Sequence, residues 1–328
     1  MLKDKKEKLL LTLLVLSLLL GGCSIGGREV VFTRGFDSQD VFRIGDAACH
    51  LTKARVYLAN YQNIYGKSYG IDLWEQGFKV QELKEYIKGI ALSEMTKIVC
   101  MDLLAKDQDI SLTEEEQQNI KDAASSYYKT LNEAELNYTG ASETDIVSMY
   151  EDYALADKVY RFLTEGINDE VSDDEARIME AMQIYVKNKD DADAVAAKLA
   201  AEEDFTAVAS NYNQKPVTEI TFGRGELPEK VEEAAFELDN EEISSCIETE
   251  DGFYFIKCIN KFNEELTDAN KLNIVEAREK AAFDDVYEQF VSGLSSSLNK
   301  EVWEDIELVT DGSITTDSFF DTIEDAIH

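Results

Sequence analysis

The chain has 328 residues, of which 67 are acidic and 32 basic, so its formal net charge at pH 7 is −35. A hydrophobic content of 44% is enough to bury a core and excludes a chain that is disordered throughout. The charge excludes a binder of nucleic-acid phosphates, since that function needs a basic surface, and two histidines leave little room for metal or triad chemistry. Two prolines, where average usage gives roughly 16, favour helices over rigid loops. We therefore expect a helix-rich protein without nucleic acid, metal or cofactor.

Residues 1–22 have the pattern of an export signal. Several lysines precede Leu9–Leu20, an apolar run of 12 residues interrupted by one threonine and one serine. This run is shorter than the ~20 residues of a membrane-spanning helix, so we predict a cleaved signal and not an anchor helix. It ends in Leu20-Gly21-Gly22-Cys23, which resembles the bacterial lipobox. The resemblance implies that Cys23 is lipidated, that 23–29 is a tether, and that the protein is held on the outer face of the cytoplasmic membrane. An uncleaved signal with an incidental cysteine is the alternative.

Four further cysteines are Cys49, Cys100, Cys246 and Cys258. An exported protein can form disulfides, but these spacings fit no dense framework and contain no C-x-x-C pair. We predict four free, mostly buried thiols. Disulfide bonding remains the alternative. Cys246 and Cys258 flank the turn at Thr249–Gly252, but a three-residue loop there pairs Cys246 with Ile256, which argues against a bridge between these two.

From Thr52 onward, apolar residues recur at steps of three and four, which predicts helices. A capping box at Thr113–Glu116, a cap at Ser142 and a second box at Ser172–Glu175 mark helix starts. Short apolar runs at 30–33 and 41–44 predict strands or ordered extended arms.

After residue 180 the hydrophobic period changes. Strand candidates alternate with helix candidates in this order: strand 182–186, helices 192–201 and 205–212, strand 220–222, helix 231–238 and strand 253–262. This alternation predicts a small α+β domain with its own core over residues 171–262.

Helical periodicity returns after that domain. One apolar stripe consists of Phe283, Val286, Tyr287, Phe290, Val291, Leu294 and Leu298. A helix with such a face needs a packing partner, and only the amino-terminal half offers one. We therefore predict an α+β protein in which a discontinuous helical domain, 30–170 and 263–303, receives an inserted α+β domain. Residues 304–328 contain eight acids and no lysine or arginine, which predicts a mobile acidic tail; docking through Phe319 and Phe320 is the alternative.

The inserted region also carries a series of ordered motifs. They are Ala181-Met182-Gln183-Ile184-Tyr185-Val186, Asp204-Phe205-Thr206-Ala207, Phe222-Gly223-Arg224-Gly225, Val231-Glu232-Glu233-Ala234-Ala235-Phe236 and Gly252-Phe253-Tyr254-Phe255-Ile256-Lys257. This series resembles the parvulin type of peptidyl-prolyl isomerase. Ile44-Gly45-Asp46 with Leu51-Thr52, and the passage 103–116, resemble SurA- and PrsA-like chaperones. Residues 1–303 are thus similar to a PrsA-like foldase lipoprotein, which implies unfolded or nascent exported polypeptides as partners and a membrane contact through Cys23.

The inserted region departs from the parvulin pattern at its site. By resemblance, Gln183 and Tyr254 replace the two family histidines, and Leu227 and Val231 stand for the methionine and phenylalanine of the proline pocket. A third family position falls near Gln214 or Lys215. Rotation of an X-Pro bond needs only contacts that favour the twisted amide, so loss of the histidines does not by itself abolish catalysis.

Three functional hypotheses follow from these features. The first is a membrane-anchored extracytoplasmic foldase or chaperone whose isomerase activity is weak or lost. The second is an active parvulin-type isomerase, and the third is a tethered ligand-binding lipoprotein.

Overall fold

The computed structural model describes residues 36–68, 71–75 and 79–328. The predicted signal, the tether with Cys23 and the first apolar run at 30–33 lie outside the described residues. The chain divides into a helical unit, Met1–Glu165 with Phe283–His328, and an inserted unit, Gly166–Ala282. This confirms the predicted fold class, in which a discontinuous helical domain receives an α+β domain. Among the described residues, no helix has both the length and the apolar content needed to cross a bilayer.

The helical unit is built mainly from helices. They are α1 (Leu51–Gly66), α2 (Val80–Asp107), α3 (Glu114–Tyr128), α4 (Glu133–Thr139), α5 (Glu143–Thr164), the end of α10 (Glu264–Ser292), α11 (Lys300–Glu304) and α12 (Phe319–Ile327). Its strands are β1 (Asp40–Ile44), β2 (Ala47–His50), β3 (Lys67–Ser68), β4 (Ile71–Asp72) and β9 (Ser296–Leu298). The strands form an antiparallel sheet of order β2-β1-β9 and a two-stranded β3-β4 hairpin.

Reciprocal caps fix the starts of α3, α4 and α5. The boxes are Thr113 with Glu116, Asn132 with Glu135, and Ser142 with Asp145. In each box the first side chain accepts from the third amide, and the acidic side chain accepts from the capping amide.

The box predicted at Ser172 is only half formed. Ser172 accepts from the amide of Glu175 at the start of the short helix α6 (Asp173–Ala176). The Glu175 carboxylate instead binds Arg278 at 2.6 Å.

The apolar stripe after residue 283 is a helix only in part. Helix α10 ends at Ser292, and Leu298 pairs with Phe42 in the β9–β1 ladder. Gly293 and the serines that follow it are poor helix formers, so the chain leaves the helix there. Leu294 and Leu298 still pack against the helical core.

The prediction of a mobile tail is wrong. Residues 304–328 pack onto the helical unit and bury six apolar side chains, which are Ile306, Leu308, Ile314, Phe319, Phe320 and Ile323. The last three lie in α12, which turns one apolar face inward, and the first three lie in the stretch before it. The apolar pattern of this segment therefore determines that it packs onto the helical unit, in spite of its negative charge.

The inserted unit is one antiparallel sheet with helices on both faces. Its strands are β5 (Met179–Val186), β6 (Glu219–Phe222), β7 (Ile247–Glu248) and β8 (Phe253–Asn260), in the order β6-β5-β8-β7. Helices α7 (Lys189–Ala200) and α8 (Phe205–Tyr212) cover one face, and α9 (Glu229–Phe236) covers the other. The unit extends to Ala282 and so includes the first part of α10, beyond the predicted boundary at 262.

The four cysteines in the described residues are free thiols. Cys49, Cys100 and Cys258 are buried, whereas Cys246 is exposed. This agrees with the predicted free, mostly buried thiols.

Candidate functional site

Strand pairing brings the predicted site residues onto one face of the inserted sheet. In the antiparallel β5–β8 ladder, Gln183 pairs with Ile256 and Tyr185 pairs with Tyr254. Side chains alternate along a strand, so all four share the face that α9 covers. Gln183 and Tyr254 are therefore diagonal neighbours across the ladder.

Helix α9 closes this face from above the sheet. Its Val231 is fully buried in the same apolar cluster as Tyr254, and Leu227 packs against that cluster from the preceding loop. The structure thus places Leu227 and Val231, the two positions that the resemblance assigns to a proline pocket, in one apolar cluster with Tyr254, which stands for a family histidine.

Gln183 is held by the loop that leads into β6. Only 6% of the residue is exposed, and its Nε2 donates to the carbonyl oxygen of Val217 at 3.2 Å. Its backbone amide donates to Thr218 O at 2.8 Å. The side-chain amide therefore tethers the 213–218 loop to β5.

Tyr254 is paired with a second tyrosine, Tyr185, to which the parvulin resemblance assigns no role. The rings of Tyr185 and Tyr254 lie 4.8 Å apart at 51°, and Tyr185 donates its hydroxyl to Asp251 O at 2.5 Å. Lys215 places its Nζ 4.9 Å from the Tyr185 ring centre and 5.9 Å from that of Tyr254. The Lys215 ammonium therefore lies within cation–π distance of both rings. Because Tyr185 lies two residues after Gln183 on the same strand, period-two alternation was the signal that identifies it.

Gly252 makes this arrangement possible. Its φ is +147°, and a Cβ atom there would lie 2.6 Å from Val186 O and 2.8 Å from Cε2 of Tyr185. Only glycine permits that approach, so the turn before β8 brings Asp251 within reach of the Tyr185 hydroxyl.

The chemistry available on this face is contact and hydrogen bonding. Burial is the largest cause of the raised pKa of Cys258, so this thiol stays protonated and is a poor nucleophile. Gln183 offers an amide, and the two tyrosines offer ring surfaces and phenol groups. Such a set can favour one amide geometry over another but supplies no histidine for proton transfer.

Comparison with known proteins gives three findings of different extent. Residues 168–270 match the family described as the PPIC-type PPIASE domain. Foldase protein PrsA of Caldanaerobacter subterraneus subsp. tengcongensis is 26% identical over 239 residues, which cover 65% of this chain and 73% of that protein. Foldase protein PrsA of Geobacillus kaustophilus is 36% identical over 95 residues, covering 26% of this chain and 34% of that protein.

Among solved structures, the peptidylprolyl isomerase PrsA of Bacillus cereus is similar to 81% of this chain and to 99% of its own, with 19% identity and a TM-score of 0.37. The domain match covers the inserted sheet and its helices, and the Caldanaerobacter relative extends well beyond them. Residues 168–270 therefore match a PPIC-type domain, the parvulin kind, and the chain is similar to PrsA foldases well beyond that domain.

Proposed function

We propose that this chain is an extracytoplasmic foldase that holds exported polypeptides, is anchored to the outer face of the cytoplasmic membrane through a lipid on Cys23, and has weak or lost isomerase activity. Its similarity to PrsA foldases and its PPIC-type domain support the coarse function of foldase or chaperone. The lipobox resemblance at residues 20–23 supports the anchor. The packing around Gln183 and Tyr254 supports the weak activity.

The observation that carries the weak activity is how little of the site is exposed. Gln183, Tyr254 and Val231 are 6%, 4% and 0% exposed. Binding a proline ring gains free energy by burying apolar surface that is open in the free protein, and little such surface is open here. The Gln183 amide is already bonded to Val217 O. Few groups remain to lower the ~18–20 kcal/mol barrier to amide rotation by selective contact with the twisted form.

An isomerisation assay on the chain from residue 23 onward tests this part. With a proline tetrapeptide as substrate, we expect turnover roughly 100-fold or more below that of a histidine-bearing parvulin, since each weakened contact of ~1.4 kcal/mol costs tenfold in rate. Turnover equal to that of the histidine-bearing enzyme would establish the active-isomerase alternative.

Aggregation of a chemically unfolded exported protein tests the holding function in the same preparation. We expect suppression near equimolar ratio, with an equally acidic folded protein as the control for non-specific charge effects. Failure to suppress aggregation at any ratio would favour a tethered ligand-binding lipoprotein.

Replacement of Cys23 tests the anchor. In cells, Cys23→Ala is expected to release the protein from membranes or to leave the signal uncleaved, because no acyl chains are then attached. Cys246→Ala, at an exposed thiol, is the matched control and should remain on the membrane. Normal processing and retention of Cys23→Ala would contradict the assignment.

A further inference from the structure

The C-terminal segment, residues 304–328, lies in a groove of the helical unit whose side chains bind its main chain. We call this the tail groove; α1, α2, α4 with its cap residue Asn132, and α5 supply these side chains, and Tyr127 near the end of α3 bonds the Thr316 hydroxyl at 3.0 Å. Side-chain donors reach segment carbonyls as follows: Lys88 to Glu304 and Ile306 (3.1 and 3.0 Å), Tyr138 to Glu307 (2.9 Å), Gln62 to Val309 (2.8 Å), Asn132 to Ser313 (3.2 Å), Asn63 to Thr316 (2.9 Å) and Tyr150 to Phe319 (2.8 Å).

Two buried acceptors of the tail groove bind the segment's amides. Glu135, only 1% exposed, accepts through Oε1 from the backbone amides of Thr315 at 2.7 Å and Thr316 at 2.8 Å. Asn60, fully buried, accepts through Oδ1 from the amide of Phe319 at 3.1 Å. The contact from Asn60 satisfies an amide of the first turn of α12, which has no partner within the helix, and those from Glu135 satisfy two amides of the extended stretch before it.

Burial of the polar side chains of the tail groove costs free energy unless each of them has a hydrogen-bond partner. Asn60, Gln62, Asn63 and Glu135 are each at most 5% exposed, and a buried polar group without a partner costs about 1–3 kcal/mol. Apolar side chains would close a permanent core without that cost. The segment's main chain supplies at least one partner to each of these four side chains, and main-chain contacts do not depend on the sequence that is bound. Asn60 and Glu135 also bond the hydroxyls of Thr316 and Thr315.

Selectivity comes from a tyrosine-lined pocket at the end of the tail groove. The Phe319 ring centre lies 5.6, 5.3 and 4.7 Å from those of Tyr57, Tyr127 and Tyr150. The next ring, Phe320, stacks on Tyr61 at 4.7 Å and 14°. A pocket of this kind accepts two adjacent aromatic side chains at the point where an extended stretch becomes helical.

We propose that the tail groove binds unfolded polypeptide segments in which an extended stretch leads into an aromatic pair, and that the C-terminal segment is an occupant held in cis. The chemistry of the bound segment on the page, namely main-chain hydrogen bonds followed by paired aromatic rings, defines that ligand. The identification of such segments as client chains rests on the proposed function.

Tethering explains why the segment holds its place in the structure. A flexible linker gives an attached ligand an effective concentration in the millimolar range, so a free segment competes only when the cis segment is released. Thr310, Asp311, Gly312 and Ser313 are all exposed and form a point where the chain can be cut after folding.

The test uses the full chain with a protease site inserted between Asp311 and Gly312. The protein is folded intact, cut, and separated from the released segment by gel filtration. A fluorescent peptide of residues 313–328 is then titrated and its anisotropy measured. We expect the cut chain to bind the peptide at least 10-fold more tightly than the uncut chain. A peptide carrying Phe319→Ala and Phe320→Ala is the matched control and should lose most of that affinity.

Hydrogen exchange on the uncut chain is a second test, and it does not require the cut chain to stay folded. We expect the amides of Thr316 and Phe319 to exchange by local opening, and therefore faster than the amide of the buried residue Ile146 in α5. Excess peptide should make them exchange faster still, because it competes with the segment for the groove. Exchange of all three only through global unfolding, or a folded cut chain that does not bind the peptide, would overturn the proposal. A dimer of uncut chains that exchange their segments would assign the groove to a second copy and also overturn it.

Aggregation suppression by cut and uncut chains separates this inference from the proposed function. We expect the cut chain to hold more unfolded client. Peptide binding without suppression by either form would sustain the groove and contradict the chaperone function. Equal suppression by both forms without peptide binding would sustain the chaperone function and overturn the groove.

Discussion

Asp102 is an uncompensated carboxyl inside the helical unit. Burial is the main cause that raises its pKa to about 8, and the carboxylate of Asp152 raises it further, while Lys53 and Lys106 lower it. Lys53 is committed to Asp152 at 2.8 Å, and Oδ1 of Asp102 is buried without a hydrogen-bond partner. At neutral pH this side chain is therefore protonated in the folded protein.

Asp102→Asn is expected to stabilise the protein above pH 5. The unfolded chain loses the Asp102 proton near pH 4, whereas the folded protein keeps it to about pH 8. The folded state thus binds more protons in this window, and its stability falls as pH rises through it. The substitution removes that loss, so we expect a gain on the order of 5 kcal/mol at pH 8, from a difference of about four pKa units between the folded and unfolded states, and a flatter profile.

Urea unfolding at pH 4, 6 and 8 measures this effect. Asp107→Asn, exposed on the same helix, is the control and should leave the profile parallel to that of the parent chain. A parallel profile for Asp102→Asn as well would show that this carboxyl ionises normally.

At the candidate site, the order of the motifs predicted where the named residues lie better than it predicted which side chains surround them. The resemblance named Gln183, Tyr254, Leu227 and Val231, and the sheet brings three of them into one apolar cluster with Gln183 beside it on the same face. Tyr185 was missed because it replaces no family histidine, and its partnership with Tyr254 depends on the β5–β8 register. Register is a tertiary property that a motif does not contain.

The end of α10 is predicted to carry much of the helical unit's stability. Phe283 is 3% exposed and lies 5.2 Å from the Tyr160 ring and 5.1 Å from the Tyr287 ring. Phe283→Ala should lower the free energy of unfolding by about 3–5 kcal/mol, because it leaves a cavity among these rings.

Leu272→Ala is the matched control on the same helix. Leu272 is 67% exposed, so its truncation should change stability by less than about 0.5 kcal/mol. Thermal melts of both variants, followed by circular dichroism, compare the two. Equal effects would show that the carboxy-terminal stripe is not part of the core.

Elements with strong local signals were predictable, and elements that depend on distant partners were not. The box at Thr113 and the cap at Ser142 are local, because each joins residues three apart, and both formed. The box at Ser172 is equally local but formed only in part, because Arg278 binds the Glu175 carboxylate. Strand β9 is only three residues long and exists because β1 pairs with it. Helix α12 depends on the aromatic pocket for its partners, so its acidic sequence alone favoured a mobile segment.

The net charge of −35 predicts that salt stabilises the whole molecule. Self-repulsion among excess acids destabilises the compact state, and 0.1 M salt screens exposed charges beyond about 10 Å. We expect the Tm to rise by roughly 2–5 °C between 20 and 500 mM NaCl, about 1 kcal/mol of stability.

Choline chloride at equal ionic strength is the control for specific sodium binding, and it should give the same rise. A Tm that falls with salt would mean that attractive ion pairs, such as Lys158 with Glu116 at 2.7 Å, outweigh the repulsion.

The helical unit is built from two separate stretches of the chain, so it cannot finish folding until the second stretch has been synthesised. Asn60 receives the amide of Phe319 from 259 residues further along the sequence. At about 5–20 residues per second, the ribosome makes the second residue roughly 10–50 s after the first. The inserted unit draws its contacts from Gly166–Ala282 and can close during that interval. The tyrosines of α1, α3 and α5 that contact Phe319 and Phe320 gain that cover only once residues 304–328 are made, so we expect the nascent helical unit to expose an aromatic surface until then.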